Sequence, residues 1–386
     1  MKDANFLNRQ VKWMIYADNA ATTKLCSEAY EAMKSYLLEE YGNASQPYFF
    51  SKAAKTALKN AREIIATCIG ASPEEIYFTS GGTESDNWVI KSSLFFDTEK
   101  NEVITSQIEH HAVLNACATV HSLGIPVEYL SVDENGYVLP EKLKERVTTK
   151  TGLVSIIFGN NEIGTIEPIK ELAEIAHSSG ALFHTDAVQA VGHVPIDVHS
   201  LNVDFLSASA HKFNGPKGIG FLYIKDGVKI HSYADGGSQE RGYRAGTENV
   251  ASIAAMAVAL EKNTLRLTEK SIRLKAIEDA FIKILRESDI DFIRNGAENH
   301  LPGNVNLSFR GANGEMLLHR LDLKGICIST GSACDSVNTQ ISHVIKAINV
   351  PAEYAEGTIR VTFGADNTED EAVQIARELI KILGVD

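Results

Sequence analysis

Short apolar runs that alternate with helix-forming segments dominate the first two-thirds of the sequence. The clearest run, LVSIIF at residues 153–158, is apolar except for one serine, which is typical of a strand covered on both faces. A helix pattern follows at 168–179, with proline at its start and glycine just after its end. Further strand-like runs lie at 76–79, 103–105, 181–185, 203–207 and 219–224. This alternation predicts an α/β fold with a mostly parallel sheet and helices on both of its faces.

The pattern changes near residue 249, where a long helical stretch begins. Its first part is rich in apolar residues and its later part is amphipathic and charged, so we predict a domain boundary near Lys262. The remaining chain mixes short strands at 304–309 and 358–363 with helices, which is typical of a smaller α+β domain. The predicted domains are a large one at 16–262 and a small one formed by 1–15 and 263–386.

Charge and cysteine usage narrow the functional class. The formal charge of −13 opposes binding to nucleic acid or to an anionic membrane, so we predict neither as a direct partner. The five cysteines are scattered and form no CxxC pair, which argues against a disulfide scaffold or a structural zinc site. The N-terminus shows no apolar signal core, and no stretch approaches the roughly 20 apolar residues of a membrane span. We therefore expect a protein of the reducing cytoplasm.

The segment SASAHKFNGPKG at residues 207–218 places a lysine just after a predicted strand. Ligands of open α/β sheets bind beyond the carboxyl ends of the strands, so Lys212 is positioned to face a ligand. Its small neighbours leave space there, and Ser209 and His211 can donate hydrogen bonds to a phosphate. A lysine in such a site can form a Schiff base with a carbonyl cofactor. The alternative is a solvated surface lysine.

The segment TSGGTESDN at residues 79–87 joins a predicted strand to a predicted helix. Glycine lets the backbone approach a ligand closely, and a helix N-terminus presents free N–H groups to an anion. Gly82 and the hydroxyl of Thr83 are therefore candidates for binding one phosphate, with an ordinary glycine turn as the alternative. The segment matches neither the GxGxxG fingerprint nor a nucleotide P-loop.

Two further motifs supply ionisable groups. Asp186 directly follows a predicted strand in ALFHTDAVQ, and a buried carboxylate requires a cationic partner such as a protonated pyridine nitrogen. A helix N-cap is the alternative for Asp186. His110 in EHHAV can stack on a flat ring and transfer protons near neutral pH, whereas most single histidines are structural. In chain order, with Asn161 of NNEIG between them, these motifs indicate a pyridoxal phosphate (PLP) site at one edge of a sheet.

The sequence resembles the group I cysteine desulfurases, which are fold-type I PLP enzymes of the class V aminotransferase family. The resemblance covers nearly the whole chain in one order, through YADNAATT, SGGTESDN, EHHAV, NNEIG, HTDAVQ, AHKFNGPKG, QERGYRAGTEN and STGSACDS. It implies a large domain with a mostly parallel, seven-stranded sheet. It also implies a smaller α+β C-terminal domain that carries a cysteine loop at about residues 326–350.

The resemblance implies a role for each matching residue. Lys212 forms the Schiff base with PLP, Asp186 pairs with the pyridine nitrogen, and His110 stacks on the ring as an acid/base. Asn161 and Arg360 hold the substrate carboxylate, a task that suits a guanidinium fork, although a surface ion pair is the alternative for Arg360. The implied cofactor-binding residues are Gly82, Thr83, His110, Asn161, Asp186, Gln189, Ser209, His211, Lys212 and Thr247.

Cys334 lies among small and polar residues in STGSACDS. The resemblance implies that its thiolate takes sulfur from L-cysteine, which leaves L-alanine and a persulfide. The implied partners are a second copy of the chain, whose PLP Thr247 reaches, and a sulfur-acceptor or iron–sulfur scaffold protein. The sulfur is expected to serve iron–sulfur cluster assembly or the thiolation of tRNA or a cofactor. The alternatives are a selenocysteine lyase, a class V aminotransferase and a catalytically idle scaffold.

Overall fold

The computed structural model describes residues 14–95, 99–330 and 341–384, and most strands in these ranges form one large sheet. The strands are β1 (Ile15–Tyr16), β2 (Ile76–Thr79), β3 (Glu102–Ser106), β4 (Val127–Leu130), β5 (Thr151–Ser155), β6 (Leu182–Asp186), β7 (Phe205–Ser209), β8 (Gly220–Ile224), β9 (Phe292–Asn295), β10 (Asn304–Phe309), β11 (Ile326–Cys327) and β12 (Thr358–Thr362). The large sheet has the order β2-β8-β7-β6-β5-β3-β4. Six of its strands point in the same direction, and β8 runs opposite to them. The predicted α/β class with a mostly parallel, seven-stranded sheet is confirmed.

Helices connect most of these strands. The α-helices are α1 (Ser27–Leu38), α2 (Lys52–Ile69), α3 (Gly82–Ser92), α4 (His111–Ser122), α5 (Pro140–Arg146), α6 (Ile169–Ser178), α7 (Val198–Leu201), α8 (Val250–Leu265), α9 (Leu267–Arg286), α10 (Gly314–Asp322), α11 (His343–Ala347), α12 (Ala352–Ala355) and α13 (Glu369–Leu383). None of these helices is both long and apolar enough to cross a bilayer. The described residues also contain no cluster of three side chains suited to hold a metal ion.

Both faces of the large sheet are buried. Val154 of β5 packs in a cluster with Leu172 of α6 and Ile253 of α8. Its neighbour Leu153 packs in a separate cluster with Trp88 of α3. Because successive side chains of a strand point to opposite faces, the continuous apolar run at 153–158 requires a cover on each side. The helices supply those two covers.

Helix α13 illustrates how the local sequence sets the ends of an element. Thr368 and Glu371 form a reciprocal capping box at its start, and Gly384 ends it in the left-handed conformation with a φ of 77°. Between these ends, one face of the helix is buried. The buried residues on that face are Ala372, Ile375, Ala376 and Leu379.

The last third of the chain forms its own hydrophobic cluster. Strands β12, β10 and β9 form an antiparallel sheet in that order, and β1 pairs with β11 in parallel. Helices α9 and α13 pack together, and both contribute to the cluster that covers this sheet. Ile15 of β1 belongs to this cluster as well, so the first described residues pack with the last third of the chain.

The long helical stretch is two helices rather than one. Arg266 separates α8 from α9, with backbone angles (φ −118°, ψ 13°) outside the α-helical region. Leu260, before the break, packs with the large sheet, whereas Leu274, after it, packs with the small sheet. The predicted division near Lys262 lies close to this break and stays a prediction.

Candidate active site

The carboxyl ends of β6 and β7 bring two predicted site residues to the same edge of the large sheet. β6 ends at Asp186, and β7 ends at Ser209, which is followed by one 3₁₀ turn up to Lys212. The two strands are parallel neighbours in which Asp186 lies opposite Ser207. Helix α3, which begins at Gly82, follows β2 at this edge as well. The edge therefore collects groups that lie far apart in the sequence.

Lys212 is held against the loop that follows β1. Its Nζ donates to the carbonyl oxygens of Ala20 at 2.5 Å and Ala21 at 2.9 Å. Gln189 Nε2 donates to the same carbonyl of Ala20 at 2.9 Å. Lys212 is only partly exposed, so the alternative of a solvated surface lysine does not describe it. The motif YADNAATT thus provides carbonyl acceptors for the lysine, a role that sequence reasoning did not assign to it.

Asp186 is a buried carboxylate beside this lysine. Burial raises the pKa of Asp186 to about 6, while the N–H of Val188 and the charge of Lys212 oppose that rise. Its Oδ1 accepts a hydrogen bond from the Val188 N–H at 2.9 Å. This contact resembles that of a helix N-cap, which was the alternative role for Asp186. Burial disfavours the ionised form of this carboxyl group. A second cation at this position would hold it fully ionised.

His110 caps the N-terminus of α4. Its Nδ1 accepts the N–H of Ala112 at 3.1 Å, so the neutral ring carries its proton on Nε2. Burial, then the charge of Lys212 and then His111 lower the pKa of His110 to about 4. The ring is therefore neutral at pH 7, and its electrostatic coupling to Lys212 places both groups in one site.

The start of α3 forms a cradle of small residues. No side chain caps this helix, and its N-cap Gly81 has a φ of +146°, which disfavours other residues. A Cβ on Gly81 would approach the buried Ser209 Oγ at 3.3 Å, and one on Gly82 would lie 2.4 Å from Val188 Cγ2. The backbone here can approach a ligand only because both positions are glycine.

Thr83, His211 and Thr247 are the other residues predicted to bind phosphate. Thr83 is exposed, and His211 Nδ1 lies 3.1 Å from Thr22 Oγ1. Thr247 lines a cavity of about 210 Å³. Their assignment to a phosphate stays a prediction.

Arg360 is buried on β12, with 3% of its surface exposed. Its Nη1 donates to the carbonyl oxygen of Asn161 at 2.7 Å, and its Nη2 donates to Asp18 Oδ1 at 2.8 Å. Its Nε is buried and has no hydrogen-bond partner in the described part of the chain. Arg360 therefore forms a buried ion pair with Asp18. The alternative prediction for Arg360 was an ion pair on the protein surface. The unpaired Nε is a donor available to a ligand.

Cys334 lies outside the described residues, within 331–340. The chain immediately before this segment is anchored beside Arg360. Ser329 and Arg360 exchange two backbone hydrogen bonds, of 3.0 and 2.7 Å. The strand that carries the predicted carboxylate-binding residue therefore also holds one flank of the cysteine segment.

The other flank is anchored beside His110. Ser342 Oγ donates to Glu162 Oε2 at 2.6 Å, and His343 Nε2 donates to the carbonyl oxygen of Glu109 at 3.0 Å. Sequence reasoning did not predict this contact. The sequence feature that could have indicated it is Ser342, an N-cap residue type, followed by His343 shortly after STGSACDS.

Glu109 is a buried acid under this site. Its Oε1 accepts from Ser106 Oγ at 2.6 Å and from the N–H of Ile157 at 3.0 Å, while its Oε2 has no partner among the described residues. Burial raises the pKa of Glu109 from 4.5 to about 8, despite the opposing hydrogen bonds. The folded protein therefore holds a proton here that the unfolded chain releases.

We expect Glu109→Gln to flatten the pH dependence of stability. In the wild type, this group stabilises the fold most below pH 4.5, and that contribution is lost as the pH rises from 4.5 towards about 8. The slope is at most about 1.4 kcal/mol per pH unit for one proton. Urea unfolding across this range measures it, with Glu63→Gln, an exposed carboxylate on α2, as the control. Identical slopes for Glu109→Gln and the wild type would show that Glu109 titrates normally.

The site and the fold can now be compared with known proteins. The Aminotransferase class-V family matches residues 15–375. A cysteine desulfurase IscS of Dictyoglomus turgidum is 50% identical over 363 residues, which cover 94% of this chain and 92% of that protein. The chain belongs to the cysteine desulfurase group of the class V aminotransferase family. The resemblance found in the sequence motifs is therefore confirmed.

Other members of the family agree in sequence and in structure. A cysteine desulfurase IscS of Methanosarcina thermophila is 47% identical over 373 residues, covering 96% of this chain and 92% of that protein. A solved NifS-like protein superposes with a TM-score of 0.90 at 36% identity, covering 96% of this chain and 99% of that one. A structure described as SspA in complex with cysteine has a TM-score of 0.81 at 36% identity, covering 90% and 98%.

Enzymes of this family are PLP-dependent, and the residues present fit that cofactor. Lys212 supplies an amine at the sheet edge, and the buried Asp186 would gain a cationic partner from a protonated ring nitrogen. The uncapped start of α3, with glycine at both positions 81 and 82, suits a phosphate. The individual contacts of each predicted residue with the cofactor stay predictions.

Proposed function

We propose that this enzyme converts L-cysteine to L-alanine and carries the released sulfur as a persulfide on Cys334. The observation that carries the proposal is the geometry at one edge of the large sheet, where the buried Asp186 ends β6 and Lys212 follows the neighbouring β7 with its Nζ held by the carbonyls of Ala20 and Ala21. When bound, PLP supplies an electron sink for negative charge at the substrate α-carbon. The chain itself must hold the cofactor, hold the substrate and move protons.

Lys212 is proposed to bind the cofactor through its Nζ and to take the α-proton once the substrate has replaced it. The carbonyl oxygens of Ala20 and Ala21, in the loop after β1, accept hydrogen bonds from this nitrogen and fix its position. Asp186 is proposed to keep the pyridine nitrogen protonated, and Gln189 to bind the ring hydroxyl. Because Gln189 shares the Ala20 carbonyl with Lys212, one loop positions both side chains.

His110 is proposed to lie on the cofactor ring and to deliver or accept a proton through Nε2. Its hydrogen bond from Ala112 fixes both the ring orientation and the position of the proton. Its depressed pKa keeps it neutral at pH 7, so it does not repel the cationic lysine. The family alternatives, a selenocysteine lyase and an aminotransferase, would use the same three groups.

Arg360 and Asn161 are proposed to hold the substrate carboxylate. Nε of Arg360 is buried and has no hydrogen-bond partner among the described residues. A carboxylate oxygen of the substrate would accept a hydrogen bond from it. Asn161 contacts the same guanidinium through its backbone carbonyl. A substrate carboxylate would therefore meet a cation already fixed on two sides.

We expect Arg360→Lys to raise the KM for L-cysteine roughly tenfold to a hundredfold, the cost of losing one charge-assisted hydrogen bond. Lysine retains the charge next to Asp18 but cannot provide the planar fork. Steady-state alanine formation measures the KM. Arg294→Lys is the control, because Arg294 lies on β9 of the same small sheet and pairs with Glu278. An unchanged KM in Arg360→Lys would remove Arg360 from the carboxylate site.

Cys334 is proposed to attack the sulfur of the bound substrate as a thiolate. The new S–S bond forms as the Cβ–S bond breaks, and the electron pair of that bond passes to the substrate carbon. A proton added to that β-carbon, and the return of a proton to the α-carbon, give alanine, so the reaction needs no outside oxidant or reductant. The persulfide then passes to an acceptor protein for iron–sulfur cluster assembly or for tRNA or cofactor thiolation.

We further propose a homodimer in which Thr247 reaches the PLP of the partner subunit. An aromatic and apolar surface next to α1 and α2 supports this. Its exposed members include Leu37, Leu38, Tyr41, Tyr48, Phe49 and Phe50. An exposed patch of this kind is typical of an interface between subunits.

The cysteines among the described residues are all free thiols, which fits the proposed location in the reducing cytoplasm.

One incubation tests the proposed reaction. Purified holoenzyme with L-cysteine and no keto acid should form alanine, and mass spectrometry should find one added sulfur, about 32 Da, on Cys334. Alanine formation that requires a keto acid would identify an aminotransferase. Turnover of selenocysteine but not of cysteine would identify a selenocysteine lyase. No product and no cofactor absorption would identify a scaffold.

A further inference from the structure

A cavity of about 650 Å³ lies outside the candidate active site, where the start of α1, the break between α8 and α9 and residues 365–366 meet. Its volume is in the range of small-molecule sites. Five cationic side chains line it. They are Lys24, Lys262, Arg266, Lys270 and Arg273. Such a concentration is unusual for a chain whose formal charge is −13.

Nearby acids neutralise only part of this charge. Lys24 lies 3.7 Å from Asp366, both about four-fifths exposed, and Lys262 pairs with Glu28 at 2.6 Å. The other three cations have no carboxylate within ion-pair distance among the described residues, although Glu269 also lines the cavity. Those three cations are Arg266, Lys270 and Arg273. The cavity therefore retains a net positive charge that a bound anion would balance.

Backbone dipoles add to this field. Helices α1 and α9 both begin at the cavity, and neither has a side chain that caps its N-terminus. Their first N–H groups and the positive ends of their dipoles favour an anion at the same place as the side chains, and the C-terminal end of α8, whose Lys262 and Asn263 also line the cavity, opposes part of that field. Arg273 is held in position because its guanidinium donates to the carbonyl oxygens of Ala365, at 2.5 Å, and Asn367.

Lys270 connects this cavity to the candidate catalytic lysine. Its Nζ donates to Asn263 Oδ1 at 2.9 Å and to His193 Nδ1 at 3.3 Å. Since Nδ1 accepts, the neutral ring of His193 carries its proton on Nε2, which donates to the carbonyl oxygen of Lys212 at 2.9 Å. Two hydrogen bonds therefore join a cavity cation to the backbone of Lys212.

We propose that this cavity binds a small multivalent oxyanion and that Lys270 and His193 transmit its presence to Lys212. An anion attracts Lys270 Nζ away from His193, which weakens the contact that fixes the proton on His193 Nε2. His193 is thus a positioning residue for the turn that carries Lys212. The ligand class is a compact phosphate ester, a pyrophosphate or a polycarboxylate, because three unpaired cations require more than one negative charge.

The binding test uses the PLP-loaded enzyme, so that cofactor phosphate already fills the proposed phosphate cradle. Isothermal titration with pyrophosphate, and separately with citrate, at constant ionic strength distinguishes phosphate from carboxylate ligands. We expect Arg266→Glu to weaken binding at least tenfold, which is about 1.4 kcal/mol. Lys275→Glu is the control, because it reverses one exposed charge on the adjoining helix α9, outside the cavity. No binding of either probe, or equal losses in both variants, would overturn the site.

The transmission test follows the pH titration of the visible absorption of the lysine-bound cofactor, and it rests on the proposed role of Lys212. A saturating probe should shift this titration in the wild type and leave it unshifted in His193→Leu. His193→Gln should restore the shift, because a glutamine amide can accept from Lys270 and donate to Lys212. Binding without any shift in the wild type would overturn the transmission while leaving the site in place. Failure of the proposed reaction itself would appear instead as absent alanine formation, with pyrophosphate binding unaffected.

Discussion

Lys212→Ala should lower the rate of alanine formation from L-cysteine roughly 10⁴-fold or more. Losing an acid/base group alone costs up to about 10⁴-fold, and the same nitrogen is also proposed to bind the cofactor. The visible absorption of the lysine-bound cofactor should disappear as well. The truncation also leaves the carbonyl of Ala21 without its donor, while Gln189 still donates to the carbonyl of Ala20. We therefore expect a stability loss of about 1–3 kcal/mol, measured by urea unfolding.

Two variants separate the chemistry of Lys212 from its charge. Lys212→Arg keeps a cation near Asp186 and His110 and should recover part of the stability, but arginine cannot release a proton or form a Schiff base. Its activity should therefore stay as low as that of Lys212→Ala. Lys217→Ala removes an exposed lysine from the same loop and should be fully active. Activity within tenfold of the wild type in Lys212→Arg would show that the lysine acts only through its charge.

Cys334→Ser should lower alanine formation roughly 10²-fold or more and abolish the added sulfur mass, because a serine hydroxyl is not ionised at neutral pH and is a poor nucleophile towards sulfur. The substrate should still bind, since Lys212 and Arg360 are unchanged. A change in cofactor absorption on adding L-cysteine measures that binding. Wild-type alanine formation by Cys334→Ser would show that the sulfur leaves without this thiol.

Cys327→Ser is the matched control for that variant. Cys327 lies seven residues earlier, on β11. Burial, then the charges of Asp322 and Asp18, raises the pKa of its thiol, so a thiolate is disfavoured there. Its backbone carbonyl accepts the N–H of Ala17, and serine preserves that bond. We expect full activity. A large loss in this variant would move the persulfide role, or part of it, to Cys327.

The strands that sequence reasoning found and those it missed differ in burial. The run at 153–158 is apolar because both faces of β5 are covered, and the predicted strand at 76–79 coincides with β2. Strands β4 and β9 were not predicted, because their residues are mostly half-exposed. An edge strand with mixed polarity lacks the local signal that a central strand carries. The break at Arg266 was also missed, because no glycine or proline marks it, although Asn263 and Thr264 just before it are weak helix formers.

Local sequence was sufficient for the fold class, the family and its PLP cofactor, because each depends on short motifs, while the role of each site residue stays a prediction. A lysine after a strand, a glycine pair before a helix and a carboxylate at a strand end each keep their meaning in isolation. The contacts between motifs depend on chain segments that lie far apart. Ala20 meets Lys212 and Asp18 meets Arg360 because the N-terminal loop crosses the edge of the large sheet. The path from Lys270 through His193 to Lys212 exists for the same reason. No local pattern specifies such a contact, since it is formed only when separate hydrophobic clusters bring those backbones together.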